Sequence, residues 1–207
     1  MQLNCKSPPV LKSPKKIFLL ATALASLGRL TATESDYDYS GVFAKDNDVV
    51  SEFFTVGSKS KITVFSSTWF SASSPTGFDP ILAVWGSSGK LINELDDGEL
   101  TGTTFSNGIG YDHGNFDSFF HLLLPAGTYR ATIAQYDNYA APSDIFSAGF
   151  VHDGAAGDHF KSDFGGRTGD WSFHVLVKSV PDSGSSLVLL ALGLGGIGAA
   201  RRFKRKA

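Results

Sequence analysis

Sixteen of the twenty acidic residues in this 207-residue chain are aspartates, and many stand beside glycine or asparagine. Asp46-Asn47-Asp48, Asp96-Asp97-Gly98, Asp112, Asp117 and Asp137-Asn138 are the main groups. A short carboxylate of this kind closes turns and tolerates left-handed backbone. Gathered in loops, the same residues offer the carboxylate, amide and carbonyl oxygens that Ca2+ takes in sets of about six to eight. None of the groups has the EF-hand spacing, so any calcium site here is irregular.

Other chemistry finds less support. The histidines His113, His121, His152, His159 and His174 contain no H-x-H or H-E-x-x-H pair, which argues against zinc. Serine and aspartate are plentiful, but no G-x-S-x-G elbow presents a nucleophile. A two-carboxylate hydrolase needs its acids about 5–10 Å apart. The four glutamates, Glu34, Glu52, Glu94 and Glu99, form no motif that would suggest one. The single cysteine, Cys5, lies near the N-terminus, so no disulfide framework or thiol nucleophile is available to the rest of the chain. The expectation is a protein that is not an enzyme.

The elements that would position these residues follow from charge and periodicity. Residues 1–33 carry five Lys/Arg and no acid, a formal +5. Residues 34–179 carry eight Lys/Arg against nineteen acids, −11, and residues 180–207 return to +4. An acidic middle repels phosphate backbones, so nucleic acid is excluded as a partner. The N-terminal stretch has the order of a secretory signal peptide: Lys6, Lys12, Lys15 and Lys16, then the apolar run Ile17 to Leu27, then small residues. Ala23-Leu24-Ala25 and Ala32 are alternative cleavage points, and residues 1–32 are assigned to the signal. Such a signal implies export by the general secretion machinery.

At the other end, residues 180–207 read as polar motif, apolar run and basic cluster. Eighteen uncharged residues separate Asp182 from Arg201. As a helix they would span about 27 Å, enough to cross a bilayer core. Arg201, Arg202, Lys204, Arg205 and Lys206 would stay on the cytoplasmic side. Gly193, Gly195 and Gly198 spell G-x-G-x-x-G, but no βαβ unit or downstream acid accompanies them. Val180-Pro181-Asp182-Ser183-Gly184 with this tail resembles the VPDSG variant of the PEP-CTERM class of exosortase-type sorting signals. The resemblance implies a membrane-embedded sorting peptidase as partner and removal of the tail. It also implies a destination at the cell surface or in a polysaccharide matrix.

Between the two ends, residues 34–179 alternate as strands do. Tyr129, Ala131 and Ile133 oppose Arg130 and Thr132; Trp171, Phe173, Val175 and Val177 oppose Ser172, His174 and Lys178. Further strands are expected over 39–43, 49–56, 62–67, 81–85, 91–94, 119–124 and 146–152. No helical period is sustained there. Many short strands divided by turn residues predict an all-β fold, an antiparallel β-sandwich of jelly-roll type. It would be flanked by the N-terminal signal helix and a C-terminal transmembrane sorting helix. The abundant aromatics serve as core or as a sugar-stacking platform; the sequence does not tell which of Trp69, Trp85 and Trp171 is exposed.

The stretches "DNDVVSEFFTV", "GFDPILAVWGSSGKLINELDDG" and "FDSFFHLLLPAGTYRATIAQYDN" are similar to a DVUA0089-type exported domain, related to pre-peptidase C-terminal β-sandwiches. The resemblance places Asp79, Asp96, Asp97 and Asp137 at strand ends, which makes them the candidate calcium group, with Asp46 and Asp48 as a separate pair. It supplies no catalytic residue. Three roles stand for the domain: a surface or matrix component, a calcium-assisted module binding extracellular polysaccharide, and a self-assembling structural protein.

Overall fold

The computed structural model describes residues 34–69, 77–98, 100–154, 160–161 and 165–180. Ten strands run in chain order: β1 (Glu34–Val42), β2 (Val49–Val56), β3 (Ser60–Ser66), β4 (Pro80–Trp85), β5 (Leu91–Leu95), β6 (Gly102–Ser106), β7 (Ile109–His113), β8 (Phe119–Leu124), β9 (Gly127–Gln135) and β10 (Asp170–Ser179). Eight of them build two antiparallel four-stranded sheets, β1-β10-β3-β8 and β2-β9-β4-β5, while β6 and β7 pair with each other. Counted without that hairpin, the strands stand 1-8-3-6 in one sheet and 2-7-4-5 in the other, the interleaved order of a jelly roll. The sandwich expected from the sequence is the fold observed. The expected signal and sorting helices lie outside the described residues, and among the described residues no helix is long and apolar enough to cross a membrane.

Alternation selects the core. On β10, Trp171, Phe173, Val175 and Val177 point inward and are buried; on β9, Tyr129, Ala131 and Ile133 do the same. They meet Phe54 and Val56 of β2, Ile62 and Val64 of β3, and Leu82 and Val84 of β4 in one apolar cluster. Each such side chain contributes about 1.5–3 kcal/mol by leaving water. Tyr129 ends its inward row with a hydroxyl that donates to the Pro125 carbonyl at 2.9 Å, closing the turn before β9.

Both outer faces are covered as well, which the sequence did not foretell. Over the first sheet lies the β6–β7 hairpin. Tyr111 rests 3.9 Å from the His174 ring, and Phe65 and His113 face each other at 5.6 Å. Its turn, Asn107-Gly108, has both residues at positive φ, 48° and 79°, as a tight two-residue hairpin requires. That dipeptide was the signal for a hairpin absent from the expected strands. Over the second sheet lies the 136–154 segment, where Phe146 and Phe150 stand edge-on to Trp85 at 5.4 and 6.0 Å.

Two expectations need correction. Residues 146–152 are not a strand: Phe146–Ala148 is a 3-10 turn, Gly149 follows at φ 79°, and Phe150 makes only an isolated bridge to Ala140. Phe146 and Phe150 instead form a lid on Trp85. His174 belongs to the polar side of β10, yet it is 1% exposed, because the hairpin seals that side.

Candidate functional site

The aspartates are the first candidates, and all four of the expected calcium group stand at strand ends, at one end of the second sheet. Asp79 immediately precedes β4, Asp96 and Asp97 follow β5, and Asp137 comes two residues after β9; β4 lies between the other two strands. They do not form a cation cage. Asp137 faces His152, Oδ1 to Nε2 at 2.7 Å. Asp96 accepts the Tyr139 hydroxyl through Oδ2 and the Asp97 backbone N–H through Oδ1 at 2.8 Å. Burial and the nearby Asp96 charge push the Asp97 carboxyl up; burial and the hydrogen bond to Asp96 push the Tyr139 phenol up. Among the described residues no three His, Cys, Asp or Glu side chains are grouped to hold a metal ion. The described side chains thus show no preformed calcium cage. At the expected second site, Asp48 Oδ2 accepts the backbone N–H groups of Ala44 and Lys45, both at 2.8 Å. That is the turn-closing role of a loop aspartate.

A different constellation emerges on the outer face of the first sheet. Asp38 of β1 lies directly across from His174 of β10. Their side chains meet, Asp38 Oδ1 to His174 Nδ1, at 2.7 Å. His174 Nε2 lies 2.9 Å from Ser67 Oγ, which is 2.6 Å from Ser172 Oγ. Ser67 and Ser172 line an open groove of about 400 Å³ with Ser40, Val42 and Asp170. The order Ser–His–Asp is that of a hydrolytic triad, assembled from Asp38 on β1, Ser67 just past the end of β3 and His174 on β10, which lie far apart in the chain.

The backbone argues against acyl transfer. An oxyanion hole needs free N–H groups near the nucleophile. Here the Ser67 N–H donates to the Ser172 carbonyl at 3.1 Å. The next two amides, Thr68 and Trp69, both donate to Asp117 Oδ1 at 2.8 and 2.9 Å. A carboxylate thus sits where the amides would have to meet a developing negative charge. The chain of hydrogen bonds is better explained as the fastening of the hairpin. Asp38 also accepts Ser106 Oγ at 2.5 Å and Asn107 Nδ2 at 2.7 Å, and Asp36 accepts the Asn107 backbone N–H at 2.8 Å.

Burial holds His174 below its ordinary value, outweighing the pull of Asp38. Burial pushes Asp38 up, but hydrogen bonds from Ser106, His174 and Asn107 outweigh it and hold the carboxyl low. The sign follows for histidine: below pH of about 6.5 the unfolded chain takes a proton that folded His174 refuses, so stability falls with pH. The slope from this one group is at most about 1.4 kcal/mol per pH unit. Urea midpoints should decline from pH 7 to pH 5, and His174→Gln should remove the larger part of that decline; an unchanged slope would show that His174 is not the group responsible.

The three tryptophans separate clearly. Trp85 is fully buried and Trp171 nearly so, while Trp69 is half-buried. Trp69 lines a groove of about 620 Å³ with Phe116, Asp112, His113, Asn115 and Thr103. Its ring packs 4.5 Å from Phe116, and the Arg167 guanidinium lies 3.5 Å over it while donating to the Gly77 carbonyl at 3.0 Å.

At the end of β10 the chain leaves the sandwich. The Val180 N–H donates to the Lys59 carbonyl at 2.9 Å, and the expected motif partners Pro181, Asp182, Ser183 and Gly184 lie outside the described residues, as do Arg201, Arg202, Lys204, Arg205 and Lys206. Residues 179–204 match the family model of the VPDSG-CTERM motif. The match begins at the last residue of β10 and carries to this C-terminus the membrane-anchoring sorting signal of an exported protein. No curated protein matches the sequence. Among solved structures, a periplasmic inhibitor of g-type lysozyme from Aeromonas hydrophila, PliG, aligns over 72% of this chain and 88% of its own. It does so at 10% identity and a TM-score of 0.33, too low to carry an argument.

Proposed function

We propose that this protein is a non-enzymatic component of the cell surface or extracellular matrix, delivered by its C-terminal signal and processed by an exosortase-type membrane peptidase. One observation carries the reading: the VPDSG-CTERM match starts where the last strand stops. Every strand of the jelly roll lies before the motif, so cutting in or near Val180–Gly184 leaves the fold whole. In this account the general secretion machinery exports the chain, the apolar run after Gly184 holds it in the membrane, and the basic cluster from Arg201 to Lys206 fixes its orientation. The occupied amides beside Ser67 support the non-enzymatic part.

A second reading, a polysaccharide-binding module, is favoured by the Trp69 groove, where aromatic rings adjoin Asp112 and Asn115. Sugar rings stack on such rings while amides and carboxylates take hydroxyls. The aspartates enter this reading as hydrogen-bond partners, not as a calcium cage.

The test is pulse labelling in the native host. The precursor should convert to one smaller form, and Pro181→Ala together with Asp182→Ala should hold it at precursor size. Conversion unaffected by the double substitution would refute processing through this motif.

A further inference from the structure

The acidic domain holds one cation in an unusual setting. Arg130 projects from the outer side of β9, paired across the sheet with Phe53 of β2 and Trp85 of β4. Its guanidinium carbon lies 3.8 Å from the Phe146 ring centroid and 4.6 Å from that of Phe53. Among the described residues the guanidinium makes no hydrogen bond or ion pair; these two rings are its contacts. Aromatic stacking fixes a planar guanidinium through its faces and leaves its N–H edge unused.

Arg130 lines a groove of about 260 Å³. The hydroxyl-bearing residues Ser87, Ser88, Thr128 and Ser147 line the same groove, and no Asp or Glu is among its lining residues. Within a region of formal charge −11 this is a local site of opposite sign. At physiological ionic strength charges beyond about 8 Å are screened, so the local guanidinium decides what binds. A planar five-donor fork matches a carboxylate through two parallel hydrogen bonds. The hydroxyls beside it match the hydroxyls of a sugar, and the half-exposed Phe53 ring offers an apolar wall.

We propose that Arg130 is a carboxylate-reading subsite, which takes the acid group of a uronic acid residue in a saccharide. It adds a ligand class to the surface reading, but its test does not depend on how the tail is processed.

The full-length chain in detergent is titrated by calorimetry with a tetrasaccharide of uronic acid and with the carboxyl-reduced form of the same oligosaccharide. The acid form should bind at least tenfold tighter. Arg130→Gln should bring the two within about twofold, with an unchanged melting temperature showing the fold intact. Arg130→Lys, which keeps the charge but not the fork, should lose most of the preference. Sodium acetate at matched ionic strength should displace the acid sugar only weakly, since acetate lacks the hydroxyls. Equal affinity for both forms, no binding of the acid form, or a preference that survives Arg130→Gln would overturn the proposal. Full displacement by acetate would overturn its sugar part.

Discussion

Asp117→Ala lowers the unfolding free energy by about 3–5 kcal/mol, the range for breaking a buried charged network. Asp117 is fully buried. Its Oδ1 accepts Ser66 Oγ and the backbone N–H groups of Thr68 and Trp69 at 2.8–2.9 Å, and Oδ2 accepts the Gly114 N–H at 2.9 Å. One carboxylate therefore ties the exit of β3 to the loop before β8. Alanine strands three backbone donors and a hydroxyl away from water, and each orphaned group costs about 1–3 kcal/mol. The separate penalties overlap, because the loop relaxes toward solvent. Asp117→Asn keeps the shape and one acceptor oxygen but turns an N–H2 group toward one of the donors, so it should lie between wild type and alanine. Urea unfolding of the three proteins checks the order. An alanine variant within 1 kcal/mol of wild type, on the scale of an ordinary surface change, would mean that water replaces the carboxylate without loss.

Trp85→Ala should cost a similar amount, about 3–5 kcal/mol, for a different reason. The indole is fully buried on the outer side of the second sheet, and its N–H donates to Thr132 Oγ1 at 3.0 Å. Phe146 and Phe150 stand edge-on to it, so it is the platform for the whole 136–154 segment. Alanine leaves a cavity under a segment with little other apolar anchorage, Ala83, Val49 and Leu91 being its main neighbours. The melting temperature should drop by roughly 10 °C. Amide exchange should rise most across 136–154 and little across the β6–β7 hairpin, because stability is distributed in local units. Trp85→Phe refills most of the space and should recover more than half of the loss. Uniform exchange acceleration across both sheets would show that the segment is not a separate layer.

The pattern of what was legible is physical. A period-two alternation identifies a strand by itself, so β9 and β10 could be read directly. The strand β1 begins five residues earlier than expected, since the run Ser35-Asp36-Tyr37-Asp38-Tyr39-Ser40 alternates polar with aromatic and its carboxylates disguised a buried partner face. Alternation says which residues point away from the core, but not whether something covers them. His174 and Trp85 sit on outward faces and are buried, because the hairpin and the 136–154 segment close over them. Asp117 was readable as a loop aspartate, whereas its contact with Thr68, 49 positions away, exists only in the folded chain. The Ser67–His174–Asp38 chain and the stacked Arg130 likewise bring together residues that are distant in the chain. Proximity of acids in sequence likewise did not foretell that Tyr139 would meet Asp96 and His152 would meet Asp137.

The central claim is that the sandwich is delivered by its tail, and the direct measurement is the intact mass of the protein purified from its native host, with the C-terminal peptide sequenced. The account predicts a chain that ends within or near Val180–Gly184, or carries an added group there. Mature, membrane-bound protein that still ends at Ala207 would contradict it and leave the tail as a plain anchor.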